Sequence, residues 1–203
     1  MVIVILDFET SGLNPYHSDI IEFGAKIFND ENSFQKLVKP KSNRPISKKI
    51  TDITGITNRL LRAEGVPWIN AYTEFYNWLF ESTKGQDIVL VSHNGDSFDF
   101  MFFRRIMKDL KNEGIDVQID LSRICYHDTL HISKRLMPDR TYYNQPSIAR
   151  TYGITIENAH RAMGDVLVLE QIYSRMMDHL MKLEKINGIE DPCKVRDYID
   201  LNI

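Results

Sequence analysis

The chain begins with an unbroken apolar run, Val2-Ile3-Val4-Ile5-Leu6, that ends in Asp7-Phe8-Glu9. The run reads as a strand. On a strand alternate side chains share a face, so carboxylates at i and i+2 are aimed at one point in space. Held that close, each raises the other's pKa unless a positive charge sits between them, and a hard divalent cation with oxygen ligands meets that need. The spacing therefore predicts a metal.

Two further carboxylates occur where a folded chain rarely places them. The stretch Ser92-His93-Asn94-Gly95-Asp96-Ser97-Phe98-Asp99-Phe100 follows an apolar strand, Ile88 to Val91, and leads into a helix with the stripe Phe102, Phe103, Ile106 and Leu110. Asp99 stands three, four and seven residues before members of that stripe and so faces the core side of its own helix. The second is Asp165, in His160-Arg161-Ala162-Met163-Gly164-Asp165, at the start of a long helix with Ala162, Val166, Leu169, Tyr173, Met176 and Leu180 on one side. An inward carboxylate without a partner is costly. Singly, each acid has an ordinary reading: a strand-end charge, a solvated turn residue, or a dipole-favoured acid near a helix start, with Asp96 available as a helix cap. Together they make a paired acid on a first strand, an inward acid after a second, and a His-x4-Asp on the last large helix.

These three stretches resemble the motifs of the DEDDh exonucleases of the DnaQ-like superfamily: Asp7-Phe8-Glu9-Thr10-Ser11-Gly12-Leu13, then His93 to Asp99, then His160 to Asp165. The likeness spans about residues 1 to 180. Asn94-Gly95-Asp96, His160 to Leu167 and Ile53-Thr54-Gly55-Ile56-Thr57 are similar to the three-prime repair (TREX) branch and to polymerase proofreading exonucleases, without selecting one. Ser11 stands where the family usually has Thr and keeps a hydroxyl. Arg161 occupies the position that is Tyr in the sister DEDDy group.

The resemblance implies hydrolysis of phosphodiesters from a 3′ end, releasing nucleoside monophosphates. Two Mg²⁺ or Mn²⁺ ions held by Asp7, Glu9, Asp99 and Asp165 would clamp the attacking and leaving oxygens at a separation of roughly 3.5–4 Å. It implies that His160 is the general base, a role suited to an imidazole near pKa 6.5. It also implies substrate contacts from Thr10, Ser11, Gly12 and Leu13, with Leu13 beside the terminal base; His93 and Asn94 are further candidates. Leu13 and Asn94 read equally well as turn residues. Single-stranded or frayed nucleic acid, DNA favoured, is the expected substrate, with a polymerase or repair complex as the expected partner class. An exoribonuclease and a non-catalytic end-binding subunit are the alternatives. His127-Asp128 with His131 is a weaker signal for a helical metal phosphohydrolase, since the pair ends a predicted strand.

A net charge of −3 argues against a long electrostatic grip on duplex DNA. Residues 36 to 62 nevertheless hold eight basic side chains (Lys36, Lys39, Lys41, Arg44, Lys48, Lys49, Arg59, Arg62) against the single acid Asp52. The run is either a solvated face or a track for phosphates; Arg104, Arg105 and Lys108 pose the same choice. No apolar stretch approaches membrane-spanning length, and Met1 leads straight into the first strand, so an intracellular protein is expected. Cys125 and Cys193 fit no metal pattern, and reduced thiols are expected.

A chain of 203 residues with 43% hydrophobic content suits one α/β domain. The motif-bearing core is placed at 1–184, with a C-terminal extension at 185–203 that includes a short capped helix from Asp191 to Ile203. Strands are predicted at 2–7, 19–28, 33–38, 88–92 and 124–128, and helices near 46–64, 69–82, from Asp99, 129–137, 145–152 and 161–184. A three-strand meander followed by β-α-β gives a mixed five-stranded sheet with helices on both faces. The resemblance names it ribonuclease H-like, strand order 3-2-1-4-5.

Overall fold

The computed structural model describes residues 1–156 and 161–184. His160 and the expected helix from Asp191 to Ile203 lie outside the described residues.

Strands β1 (Val2–Thr10), β2 (Ile20–Ile27) and β3 (Ser33–Lys39) form the antiparallel meander. Two short helices follow. In α1 (Lys48–Thr54) the Ser47 side chain accepts from the Ile50 amide, and Gly55 closes the helix at φ 70°, a left-handed geometry that glycine adopts without strain. In α2 (Asn58–Glu64) Thr57 caps the Leu60 amide. Ile56, between them, is buried with Ile21, Ile46 and Leu61. Strand β4 (Val66–Pro67) leads into α3 (Trp68–Thr83), then β5 (Ile88–Ser92), α4 (Asp99–Asn112), β6 (Ile124–Asp128), α5 (Thr129–Leu136), α6 (Gln145–Thr151) and α7 (Ala162–Glu184).

The sheet order is β4-β3-β2-β1-β5-β6, with β5 and β6 parallel to β1. This is the predicted 3-2-1-4-5 order plus one edge strand. The sixth strand is a two-residue parallel pairing of Val66 and Pro67 with Val38 and Lys39. Pro67 lacks an amide donor, so an edge is where it can sit.

Alternation along β1 sorts the two cores. Val4, Leu6 and Phe8 enter the layer of α3 and α4, with Phe23, Tyr72, Phe75, Phe102, Phe103 and Ile106. Ile5 enters the opposite layer with Val89, Val91, Ile148, Leu169, Ile172 and Tyr173, beneath α5, α6 and α7. Each large apolar side chain fully buried here contributes about 1.5–3 kcal/mol. Cys125, expected as a reduced thiol, is disulfide-bonded. Among the described residues no helix is long and apolar enough to cross a membrane.

Candidate active site

The alternation that buries Ile5 under α7 carries Asp7 and Glu9 to the same face. Asp165 lies in the first turn of α7 and meets them there: one carboxylate oxygen from each of Asp7, Glu9 and Asp165 lies within 4.8 Å of the other two. β1 continues to Thr10, three residues beyond its predicted end, because β2 pairs with it as far as Thr10 and Ile20. Both carboxylates are therefore on a regular strand.

Asp99 arrives from the other layer. β5 pairs with β1 only as far as Ile5 and Val91, so the β5 side of β1 is open beyond that point. α4 starts in this gap, and its first residue supplies the missing partner: Asp99 Oδ1 accepts from the Phe8 amide at 3.0 Å and Oδ2 from the Ser92 hydroxyl at 2.5 Å. Asp99 is buried beside the cluster and is not one of the three convergent acids. Asp96 does not cap α4; the cap position is Phe98, with no side-chain bond to the helix.

Burial dominates the electrostatics. It pushes the Asp7 carboxyl well above the ordinary range, reinforced by Asp99, Glu9, Asp165 and Glu22. Glu9 is pushed up to about 8 by burial and then by Asp165, Glu22 and Asp99, with Arg161 opposing. Asp99 is pushed up to about 7 by burial, against the pull of the Ser92 and Phe8 hydrogen bonds. Such a group of desolvated, mutually repelling oxygen donors is suited to a hard divalent cation.

The other expected contact residues flank this cluster. The Thr10 hydroxyl donates to the Gly12 carbonyl at 2.7 Å, and Ser11 Oγ accepts from the Asp19 amide at 2.8 Å. Both hydroxyls are thus used within the loop, whereas Leu13 is 83% and Tyr16 73% exposed. The loop is held from α4 by Arg105, whose Nη1 donates to the Pro15 and Ser18 carbonyls at 2.5 and 2.6 Å. His93 Nδ1 pairs with the Thr129 hydroxyl at 2.9 Å, and burial lowers the His93 pKa. Asn94 is left-handed at φ 61°, as a turn former, and its amide donates to Asp128.

Asp128 accepts from the amides of Asn94, Asp96 and Leu130, so it ties the second motif to the start of α5. A carboxylate oxygen of Asp96 and of Asp128 and a ring nitrogen of His131 also lie within 4.8 Å of one another. His127 pairs with the buried Tyr173 hydroxyl at 2.8 Å. In the basic run, Lys36 pairs with Glu74, Lys41 with Asp109 and Lys48 with Asp52, while Arg104 stacks on Tyr126. These side chains are engaged within the fold.

One residue escaped the sequence reading. Glu22, fully buried on β2, stands directly across from Glu9. Its signal was a charge inside an otherwise apolar strand, Ile20-Ile21-Glu22-Phe23.

Comparison with known proteins agrees with this fold. The family model for exonucleases, RNase_T, matches residues 4–173. The PolC-type DNA polymerase III of Thermotoga maritima is 34% identical over 205 residues, covering 97% of this chain and 13% of that protein. That of Caldanaerobacter subterraneus subsp. tengcongensis is 32% identical over 199 residues, covering 97% and 13%. The chain thus spans only a small part of these relatives. Cell-death related nuclease 4 superposes with a TM-score of 0.67 at 26% identity, over 87% of this chain and 64% of that one. Exonuclease I of E. coli in complex with a dT13 oligonucleotide gives 0.66 at 20% identity, over 89% and 41%, a likeness of fold. With the match running from β1 into α7, the chain belongs to the RNase_T exonuclease family, in the DnaQ-like group that its motifs resemble.

Proposed function

We propose that the protein is a DEDDh-type, divalent-metal-dependent exonuclease that removes nucleoside monophosphates from the 3′ end of single-stranded or frayed nucleic acid, with DNA favoured over RNA. The observation that carries the reading is the convergence of Asp7, Glu9 and Asp165 from β1 and α7. The PolC-type relatives support a DNA substrate and a polymerase as the partner class.

Asp7, Glu9 and Asp165 would hold two Mg²⁺ or Mn²⁺ ions with Asp99. The Asp99 carboxylate accepts from Phe8 and Ser92, and its two oxygens together offer about four lone-pair sites, which leaves room for a ligand. Bound there, the cations supply charge for the phosphate oxygens and lower the pKa of the attacking water. His160 takes the proton from that water, by the resemblance of the third motif. Leu13 lies against the terminal base, and the backbone of Thr10 to Gly12, with His93 and Asn94, lines the approach.

The test uses DNA and RNA oligonucleotides of matched sequence, labelled at the 5′ end, with Mg²⁺ or Mn²⁺ and with chelator. The expected result is a ladder shortening from the 3′ end, faster on DNA, absent with chelator and in Asp7→Ala. Metal-independent cleavage, or none of either polymer, overturns the reading.

A further inference from the structure

Glu9 and Glu22 are register partners on β1 and β2. Like charges directly opposite on a sheet destabilise it, and Glu22 is fully buried. A strand whose neighbours are Ile20, Ile21 and Phe23 would be more simply completed by an apolar side chain, and a buried ion pair is a weak source of stability. What Glu22 does hold is the start of α7. Its Oε1 accepts from Arg161 Nη2 at 2.6 Å and Nε at 3.2 Å, and its Oε2 from the Ala162 amide at 3.1 Å. The Gln35 side-chain amide also donates to Oε1, at 3.1 Å.

The connection continues to the acid cluster in one further step. The Arg161 carbonyl accepts from the Asp165 amide at 3.0 Å, closing the first turn of α7. The far side of that turn is held by α6, where Gln145 Nε2 donates to the Asp165 carbonyl at 2.8 Å. Arg161 also directly follows His160 in the chain.

We propose that Glu22 and Arg161 are positioning residues for the metal-binding acids: together they fix the first turn of α7 so that Asp165 meets Asp7 and Glu9. The proposal rests on the exonuclease reading above and names two residues outside its ligand set. Glu22 acts through the Ala162 amide and the Arg161 fork, and a planar guanidinium is required because it donates along two directions to one carboxylate.

Positioning and simple charge effects predict different signs. If the pair acted only through its field, Glu22→Gln would weaken cation binding by removing a negative charge. Arg161→Gln would strengthen it by removing a positive one. If the pair positions Asp165, both variants weaken it, and the double variant is no worse than the more severe single one, because the two residues act as a unit. The experiment is calorimetric titration of Mn²⁺ into the full chain without nucleic acid, for wild type, Glu22→Gln, Arg161→Gln, Arg161→Lys and the double variant. KM and kcat on a single-stranded oligonucleotide are measured in parallel.

The expected result is an approximately tenfold weaker Mn²⁺ affinity in both single variants, partial recovery in Arg161→Lys, lowered kcat and unchanged KM. Tighter Mn²⁺ binding by Arg161→Gln, or unaltered affinity in both single variants, overturns the proposal and leaves the exonuclease reading intact. Wild-type protein that binds no Mn²⁺ overturns the reading itself, and the positioning role with it. Arg161 is partly exposed, so Arg161→Gln gives the folded variant should Glu22→Gln fail to fold.

Discussion

Asp99 accepts the Phe8 amide at 3.0 Å, joining residues 91 apart in sequence at the place where β5 stops and β1 goes on. A helix start thus fills the position of an absent strand neighbour and sets a carboxylate beside the acids of β1. Asp99→Asn keeps both hydrogen-bonding positions, since the amide oxygen accepts from Phe8 and the amide nitrogen donates to Ser92. The charge alone is lost. Cation-held charge stabilisation is worth several kcal/mol at about 1.36 kcal/mol per tenfold in rate, so turnover should fall on the order of 10²–10³-fold. Steady-state assays paired with thermal unfolding check this; near-wild-type turnover removes Asp99 from the site.

The raised carboxyl pKa values fix a pH dependence of stability. Glu9 is raised from 4.5 to about 8 and Asp99 from 3.8 to about 7, so the folded chain binds more protons than the unfolded one between these limits. Their contribution is fully present below the ordinary carboxylate range and is lost as pH rises through about 7 to 8. In chelator, Tm should be lower at about pH 8.5 than at about pH 5.5, by roughly 2–4 °C for each kcal/mol lost. Added Mn²⁺ should raise Tm more at the higher pH. A chelated protein whose Tm climbs across this range contradicts the assignment.

Leu13 and Tyr16 project from a loop that Arg105 holds to α4. Stacking of a base on an aromatic ring is worth about 1–3 kcal/mol. Tyr16→Ala should therefore raise KM for single-stranded oligonucleotides by roughly 5- to 150-fold with little change in kcat. Leu13→Ala should act chiefly on selection of the terminal nucleotide. Oligonucleotides differing only in the last base report both effects; equal KM values for wild type and Tyr16→Ala rule out a stacking role.

Gly24 marks a close approach of β2 to α7. A Cβ there would stand 2.5 Å from the Ala162 carbonyl carbon, and backbone cannot swing aside as a side chain can. Gly24→Ala should cost about 1–3 kcal/mol, read as a fall in denaturant midpoint, and should lower activity by shifting the first turn of α7. An unaltered midpoint means that helix and strand separate without penalty.

Much of this architecture could be read from the residues alone. The period of two put Asp7 and Glu9 on one face, and the helical period put Asp99 inward, because burial imposes those periods whatever the partners are. β1 runs past its apolar stretch because β2 continues to pair with it, and pairing leaves little trace in one strand's own sequence. β4 has two residues, too few for any period, and Asp96 resembles a cap because local sequence does not reveal that Asp128, on another strand, takes its amide. Glu22 was missed, and the loop-holding role of Arg105 was not legible, for a related reason: their partners lie 139 and about 90 residues away. A side chain whose purpose is a distant contact carries no neighbouring pattern.

The convergent acids come from the first strand and the last described helix, and this orders events during synthesis. A nascent chain that has already formed its meander still lacks Asp165 until the ribosome releases the start of α7. Until then the proposed cation site is incomplete. On the proposed reading, competence therefore arises only once α7 has been made and docked, and a product truncated before that helix should be inactive.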